Sequence, residues 1–303
     1  MAFTAKDVQS LREKTGCGMM DCKKALVECD GNMDAAVDYL REKGLASQAK
    51  KASRVAAEGT VAVYTEAGVG AVVEVNSETD FVASNDEFKA FADKVASIVA
   101  KANPADVDAL LAAKDENGKT VDEIKQDVFL KFRENMQIRR FVRYEGDVVT
   151  YIHAGGKIGV MVKFDTDVAD KDGFVAMGKN VAMQIAAMNP AYLDEASVPA
   201  EVIEKEKEIM IAQMKEDPRM ANKPEQVLAK IVEGKMGKYF KENCLVEQQY
   251  VIDGDLTVGK YVESVAKELG GNIAIADFVR FEKGEGIEKR QDDFASEVAG
   301  MIK

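Results

Sequence analysis

This 303-residue chain has no tryptophan, one histidine, four cysteines and five prolines. A lone histidine, His153, cannot build a two-histidine metal site, and Cys17, Cys22, Cys29 and Cys244 are not in CxxC spacing. No zinc centre and no disulfide framework are expected, and free thiols are the default. No apolar run approaches the roughly 18 residues of a membrane span. Met1 to Asp7 lack the hydrophobic core of a signal peptide. A GxxxxGK[ST] phosphate loop is absent, so the chain itself is expected to bind neither nucleotide nor Mg²⁺. No Ser, Cys or His motif has an evident base to activate it. The expectation from these absences is a soluble, cytoplasmic protein without cofactor, metal or membrane contact and with no evident catalytic residues.

Positive charge is also scarce outside one region. The net charge is −12, yet residues 1–54 hold ten Lys or Arg against eight Asp or Glu. The remainder holds 31 against 45. Phosphate neutralisation needs clustered cations, so direct nucleic-acid binding is not expected. A basic head on an acidic body suggests separate surfaces for separate contacts. With 47% hydrophobic and 31% charged residues the composition is that of a globular chain, long enough for two or three domains.

The stretch from Val72 to Val82 (VVEVNSETDFV) organises the rest. It opens as an apolar strand and ends as a polar loop carrying Asp80 beside Phe81. Leaving a phenylalanine in water forfeits about 1.5–3 kcal/mol of burial. Two readings follow: a wedge meant for a partner, or a ring folded back on its own sheet.

An internal repeat frames that stretch. Copy one runs through Glu58-Gly59, a hairpin, Val69 to Val75 and a helix from Phe88 to Asn103-Pro104. Copy two runs through Glu145-Gly146, a hairpin, Ile158 to Phe164 and a helix from Phe174 to Asn189-Pro190. Phe88 to Pro104 and Phe174 to Pro190 both span 16 positions. Each copy reads as a β-hairpin followed by an amphipathic helix stopped near Asn-Pro. Gly70 to Phe88 spans 18 positions and Gly159 to Phe174 only 15, so the extra residues of copy one fall in the loop with Thr79-Asp80-Phe81-Val82. Copy two is longer by two at its hairpin tip, His153-Ala154-Gly155-Gly156-Lys157. Length present in one copy only is not needed by the shared fold, which favours a partner contact for Phe81. For His153 a contact or a plain turn residue is favoured over a base or metal ligand.

Around the repeat, residues 4–54 read as three short helices: one capped by Thr4, one from about Met20 to Cys29, and one from Met33 to Lys43 stopped by Gly44. Met19 and Met20 follow a glycine turn and read equally as contact residues or core filler. Residues 45–57, with Lys50, Lys51 and Arg54, read as an exposed linker or helical connector. Thr120 to Tyr144 reads as one long helix whose Arg139-Arg140 anchor an acidic neighbour or cap its end. Residues 193–242 form an antiparallel helical hairpin with apolar stripes (Val202, Ile203, Ile209, Met210, Met214; Val227, Leu228, Ile231, Val232, Tyr239), and its outer edge is a candidate homodimer contact. Asn243–Ile252 and Ile273–Phe281 read as strands flanking a helix at about 256–269. The tail reads as a short detached helix from Asp292 to Ile302.

The segments Leu11 to Leu26 (LREKTGCGMMDCKKAL) and Glu74 to Ala83 (EVNSETDFVA) closely resemble bacterial elongation factor Ts. Ile138-Arg139-Arg140, His153 with its glycines, and Arg280 to Glu288 are similar to the same family, in order along nearly the whole chain. The resemblance implies an α+β fold: a three-helix ubiquitin-associated-like head (1–54), two related α+β core subdomains (55–144; 145–192 with 243–282), an inserted antiparallel coiled-coil hairpin (193–242) and a C-terminal helical module (283–303). It implies a guanine-nucleotide exchange factor that binds elongation factor Tu in its GDP-bound and nucleotide-free states. The loop Thr79, Asp80, Phe81 and Val82 would then enter the GTPase and dislocate its Mg²⁺. Leu11, Arg12, Met19, Met20 and Lys23 would be the head's contacts, and His153 the core's. Three other readings compete: an enzyme using His153, an RNA binder using Lys50, Lys51 and Arg54, and an adaptor without effect on nucleotide state.

Overall fold

The structure, a computed structural model, describes residues 3–216 and 223–288. Helix α1 (Ala5–Thr15) starts in a reciprocal capping box. The Thr4 hydroxyl accepts the Asp7 N–H, and the Asp7 carboxylate accepts the Thr4 N–H at 2.7 Å. Gly16, at φ 67, ends it. Helices α2 (Met19–Glu28) and α3 (Met33–Lys51) complete the head. Its small core of Val8, Leu11, Cys17, Cys22, Ala25, Leu26, Ala36 and Leu40 is closed by Leu130 from the body. Gly44 does not stop α3, as the sequence reading has it. A Cβ there would lie 2.3 Å from Leu130 Cδ2, so the missing side chain lets the helix cross its neighbour closely. The chain from 45 to Lys51 is helix rather than a loose linker.

The body holds two three-stranded antiparallel sheets. The first has the order β1-β2-β3, with β1 at Glu58–Glu66, β2 at Val69–Ser77 and β3 at Met136–Glu145. Helices α4 (Asp80–Ser84), α5 (Asp86–Ala102), α6 (Val107–Ala112) and α7 (Val121–Phe132) lie between β2 and β3 in sequence. The second sheet has the order β4-β5-β6, with β4 at Asp147–His153, β5 at Ile158–Thr166 and β6 at Ile273–Glu282. Helices α8 (Phe174–Met188), α9 (Ala200–Glu216), α10 (Glu225–Asn243) and α11 (Val258–Leu269) separate β5 from β6.

Alternation along the strands builds the layers. Ala71, Val73 and Val75 of β2 pack under Phe88, Phe91, Val95 and Val99 of α5. Val160, Val162 and Phe164 of β5 pack under Phe174, Val181 and Ile185 of α8. The opposite faces meet in an inter-sheet layer of Val61, Val72, Met161 and Phe281. Gly70 and Gly159 hold equivalent places in the two middle strands. A Cβ at either would collide with the other sheet, 2.6 Å from Val148 Cγ1 and 2.3 Å from Val61 Cγ1 respectively. Asn103 and Asn189 end α5 and α8 in the same left-handed conformation, φ 46 and ψ 56.

The long helix expected over 120–144 is two elements. Arg133 turns left-handed at φ 59 and ends α7, and Met136 to Glu145 is a strand. The duplication therefore includes a third strand, and its irregularity too. Glu74 faces Arg140 while Val75 faces Ile138, leaving Arg139 as the bulge residue. Lys163 faces Asp277 while Phe164 faces Ile275, leaving Ala276 at the same place. Residues 243–252 are not a strand: a 3₁₀ turn at Leu245–Glu247 and isolated bridges at Cys244 and Gln249 stand there. In the helical hairpin, Met214, Leu228, Val232 and Met236 form the buried seam. Ile209 and Val227 lie outside it, exposed. The tail helix expected at 292–302 lies outside the described residues.

Candidate functional site

The Thr79-Asp80-Phe81-Val82 segment is not a loop but a single helical turn, α4, set between β2 and α5. Thr79 caps it, its hydroxyl accepting the Val82 N–H at 3.4 Å. Glu134 holds Thr79 from the other side, taking its N–H at 3.0 Å and its hydroxyl proton at 2.7 Å. Asn85 then caps α5 through the Glu87 N–H at 2.9 Å. Val82 and Ala83 are buried and fasten the turn from below, and Asp80 is exposed. Phe81 stands 86% exposed, more than any other large hydrophobic among the described residues. The folded-back reading of Phe81 is thus excluded: its i+1 neighbour takes the inward position and the ring points away. A turn fixed at both ends holds that ring at little further cost in order.

His153 ends β4, exposed, with Nδ1 3.0 Å from the Tyr151 hydroxyl. The turn after it, Ala154-Gly155-Gly156, runs entirely at positive φ and leans on the first sheet. A Cβ on Gly156 would sit 2.0 Å from Thr60 Oγ1. This brings the two segments that differ between the copies onto one cleft of about 230 Å³. Ala83 and Ser84 of α4 line one side, the Ala154–Lys157 turn the other, with Gly59, Lys89 and Lys283 around them.

The head supplies a third surface. Arg12, Met19, Met20 and Lys23 are exposed, Met20 at 73%. Leu11 departs from the expectation of a contact: it is wholly buried in the head core and supports the surface from within. Arg12 and Met19 line a cleft of about 940 Å³ between head and body. Asn85, at the end of the Phe81 turn, lies on its far wall together with Glu87 and Lys131. Arg12 and Met19 of the head and the Asn85 end of the Phe81 turn therefore border one opening.

Glu74, buried without solvent contact, is the acidic neighbour of Arg139-Arg140 that the sequence reading left unnamed. It receives Arg140 Nε at 2.6 Å, Arg139 Nη1 at 3.1 Å, Asn76 Nδ2 at 3.1 Å and the Gly284 N–H at 2.8 Å. Adjacent residues of a regular strand point to opposite faces; the bulge at Arg139 breaks that rule and lets both arginines reach one carboxylate. The alternative of Arg139-Arg140 as a helix cap falls with the helix. The available signal was a lone acid inside an apolar strand beside an Arg-Arg pair.

Among the described residues no group of His, Cys, Asp or Glu is placed to hold a metal ion, and no helix is long and apolar enough to cross a membrane. Cys17, Cys22, Cys29 and Cys244 are free thiols. Burial pushes the Cys244 thiol up to about 11, the mark of an inert thiol rather than a nucleophile.

A family model described as elongation factor TS matches residues 78–285. The protein called elongation factor Ts of Syntrophotalea carbinolica is 51% identical over 307 residues, covering 100% of both chains. That of Clostridium perfringens is 51% identical over 304 residues, 99% of each chain. That of Magnetococcus marinus is 46% identical over 306 residues, 100% of this chain and 99% of its own.

Proposed function

This chain belongs to the elongation factor Ts family of translation elongation factors, and from that premise we propose that it is a guanine-nucleotide exchange factor for elongation factor Tu, acting by binding alone. It engages elongation factor Tu in its GDP form, disturbs the partner's Mg²⁺ site, and promotes release of GDP and its replacement by GTP. The observation that carries this reading is Phe81, held outside its own core on a turn fastened at both ends.

Exchange is a matter of linkage. A factor that binds the nucleotide-free GTPase more tightly than the GDP form weakens GDP by the same factor. No nucleophile or general base is required. Phe81 supplies a rigid apolar wedge between packed elements of the partner. Asp80, beside it, brings a carboxylate against the groups and waters that hold the Mg²⁺. Losing that cation removes the largest local charge opposing the phosphates. Arg12, Met19, Met20 and Lys23 form the second contact, where the methionines adapt to the partner surface. His153 forms the third, across the small cleft from the wedge. The helical hairpin stands apart from these surfaces. Its exposed Ile209 and Val227 are the candidate seam of a homodimer.

Release of fluorescent GDP from elongation factor Tu, followed by stopped flow with catalytic amounts of this protein, tests the reading. The expected result is saturable acceleration that Phe81→Ala reduces by about tenfold or more, some 1.4 kcal/mol of lost stabilisation, while binding falls less because the head still docks. Equal loss of binding and release in Phe81→Ala would sink the wedge. Binding without acceleration by the wild-type chain would make it an adaptor.

A further inference from the structure

Arg133, Glu134 and Asn135 join α7 to β3, and each bridges parts of the molecule distant in sequence. The Arg133 carbonyl accepts a hydrogen bond from Lys51 Nζ at the end of α3, and its guanidinium holds Asp21 of α2 at 2.9 Å. Asn135, 4% exposed, donates through Nδ2 to the carbonyls of Ala52 and Arg54 at 3.2 and 2.7 Å. Its N–H donates to Glu78 Oε1 at 2.6 Å, and Glu78 also pairs with Arg54 at 3.3 Å. Between them, Glu134 takes both the N–H and the hydroxyl proton of Thr79. With that proton committed, the Thr79 hydroxyl oxygen is left to accept the Val82 N–H. The last turn of α3, helix α2 and the base of the Phe81 turn are thus fastened to three consecutive residues.

We propose that Arg133-Glu134-Asn135 is a positioning joint that holds the Asp80–Phe81 wedge at a fixed offset from the head, with Glu134 as the positioning residue for the wedge. The proposal rests on the exchange reading above and adds to it how two separate surfaces come to meet one partner together. Surfaces held at a set spacing lose less freedom on binding than surfaces that move independently. Glu134 acts through Thr79: its carboxylate orients the cap, and the cap orients the turn that carries Phe81. The left-handed Arg133 ends α7 just before this acid, which stands where β2 gives way to α4, a juxtaposition of residues 55 positions apart in sequence.

The test is GDP release from elongation factor Tu across a range of factor concentrations, with the full chain carrying Glu134→Ala, Glu134→Gln, Phe81→Ala, or Glu134→Ala with Phe81→Ala. Glu134→Ala is expected to lower the plateau rate by about tenfold and leave the half-saturating concentration within about twofold, since the head still docks. Glu134→Gln, which keeps one acceptor, recovers most of that loss. On the Phe81→Ala background, Glu134→Ala adds far less than it does alone, only what the displaced Asp80 contributes, because most of its effect runs through the ring. Amide exchange at Val82 speeds up in Glu134→Ala while that of Val73 in β2 does not. A full plateau rate for Glu134→Ala beside a slow Phe81→Ala overturns the joint and leaves the exchange reading intact. An unaltered Phe81→Ala removes both. Additive losses in the double variant, or a lowered Tm with plateau and half-saturation affected alike, make Glu134 a general stabilising residue and overturn its positioning role.

Discussion

The guanidinium of Arg140 lies 4.2 Å above the ring centre of Phe281, and the residues that the repeat places in their positions, Asp277 and Tyr144, meet as well. In that second pair burial, and next to it the neighbouring Asp277 carboxylate, raises the Tyr144 pKa well above its usual value. Each pair joins β3 of one sheet to β6 of the other. The duplicated units thus face each other about an approximate two-fold, with a cation over a ring at one end of the apolar layer and a carboxylate beside a tyrosine at the other. The Arg140 end also carries Glu74 and Gly284. A Cβ on Gly284 would lie 2.1 Å from the Ala57 carbonyl oxygen, so the chain leaving β6 is seated against the start of the body.

Glu74→Ala leaves two arginines without their buried partner. Breaking a buried pair by removing one member costs about 3–5 kcal/mol, and urea unfolding should report a loss in that range. A loss below about 1 kcal/mol would mean that solvent replaces the carboxylate, as at a surface pair.

Gly44→Ala sets two effects against each other. Helix propensity favours alanine by about 1 kcal/mol, but the added methyl overlaps Leu130, and overpacking costs about 1–3 kcal/mol. The clash is expected to win, lowering Tm. In a Leu130→Ala background the same change should become neutral or stabilising, and an equal penalty in both backgrounds would contradict the crossing as the reason for the glycine.

Asp115 and Lys94 tie the 115–119 turn to α5 at 2.5 Å. The Lys94 ammonium holds the Asp115 carboxyl at about 2, and the same bond raises Lys94. The depressed carboxyl contributes stability that is present above its unfolded value of about 4 and lost as pH falls through about 2. The raised amine contributes stability that is full below its unfolded value of about 10.4 and lost as pH rises through the higher folded one. The tie should therefore be constant from about pH 5 to 10. A carbon NMR titration of Asp115 with a midpoint near 4 would refute it; Lys94→Met should move the midpoint up toward that value, held partly down by the Asn117 and Lys119 N–H groups that still donate to the carboxylate.

The two feet of the helical hairpin stand together: Ala191 and Tyr192 both donate to the Asn243 carbonyl, at 2.9 and 3.1 Å. Its buried residues pack on one another. Replacing residues 199–241 by a short Gly-Ser linker should leave the body folded and change GDP release by less than about twofold, since no stabilising contact of the transition is removed. A folded protein without activity would place the hairpin in the exchange surface.

Much of this architecture lay in short-range pattern. The period-two and period-four apolar spacing, with Asn-Pro ends, sets both hairpins and both repeat helices, because those signals act within a few residues. The Thr4 cap, the glycine after α1 and the length difference that isolates Phe81 are of the same kind. The 120–144 segment misled because the helical spacing that ends at Phe132 continues by coincidence into a strand, whose pairing with β2 is a long-range choice. Gly44 misled because a glycine's local meaning, a stop, gave way to a tertiary one, an approach to Leu130. The sequence by itself determined that the aromatic of the extra loop had no place in the shared fold, since its copy manages without it. Only the tertiary structure decided that Phe81 points outward, that the Glu134 carboxylate fixes its cap, and that Glu74 gathers two arginines. Each depends on residues brought together from more than 50 positions away, where the partner's direction and burial, not its type, set the outcome.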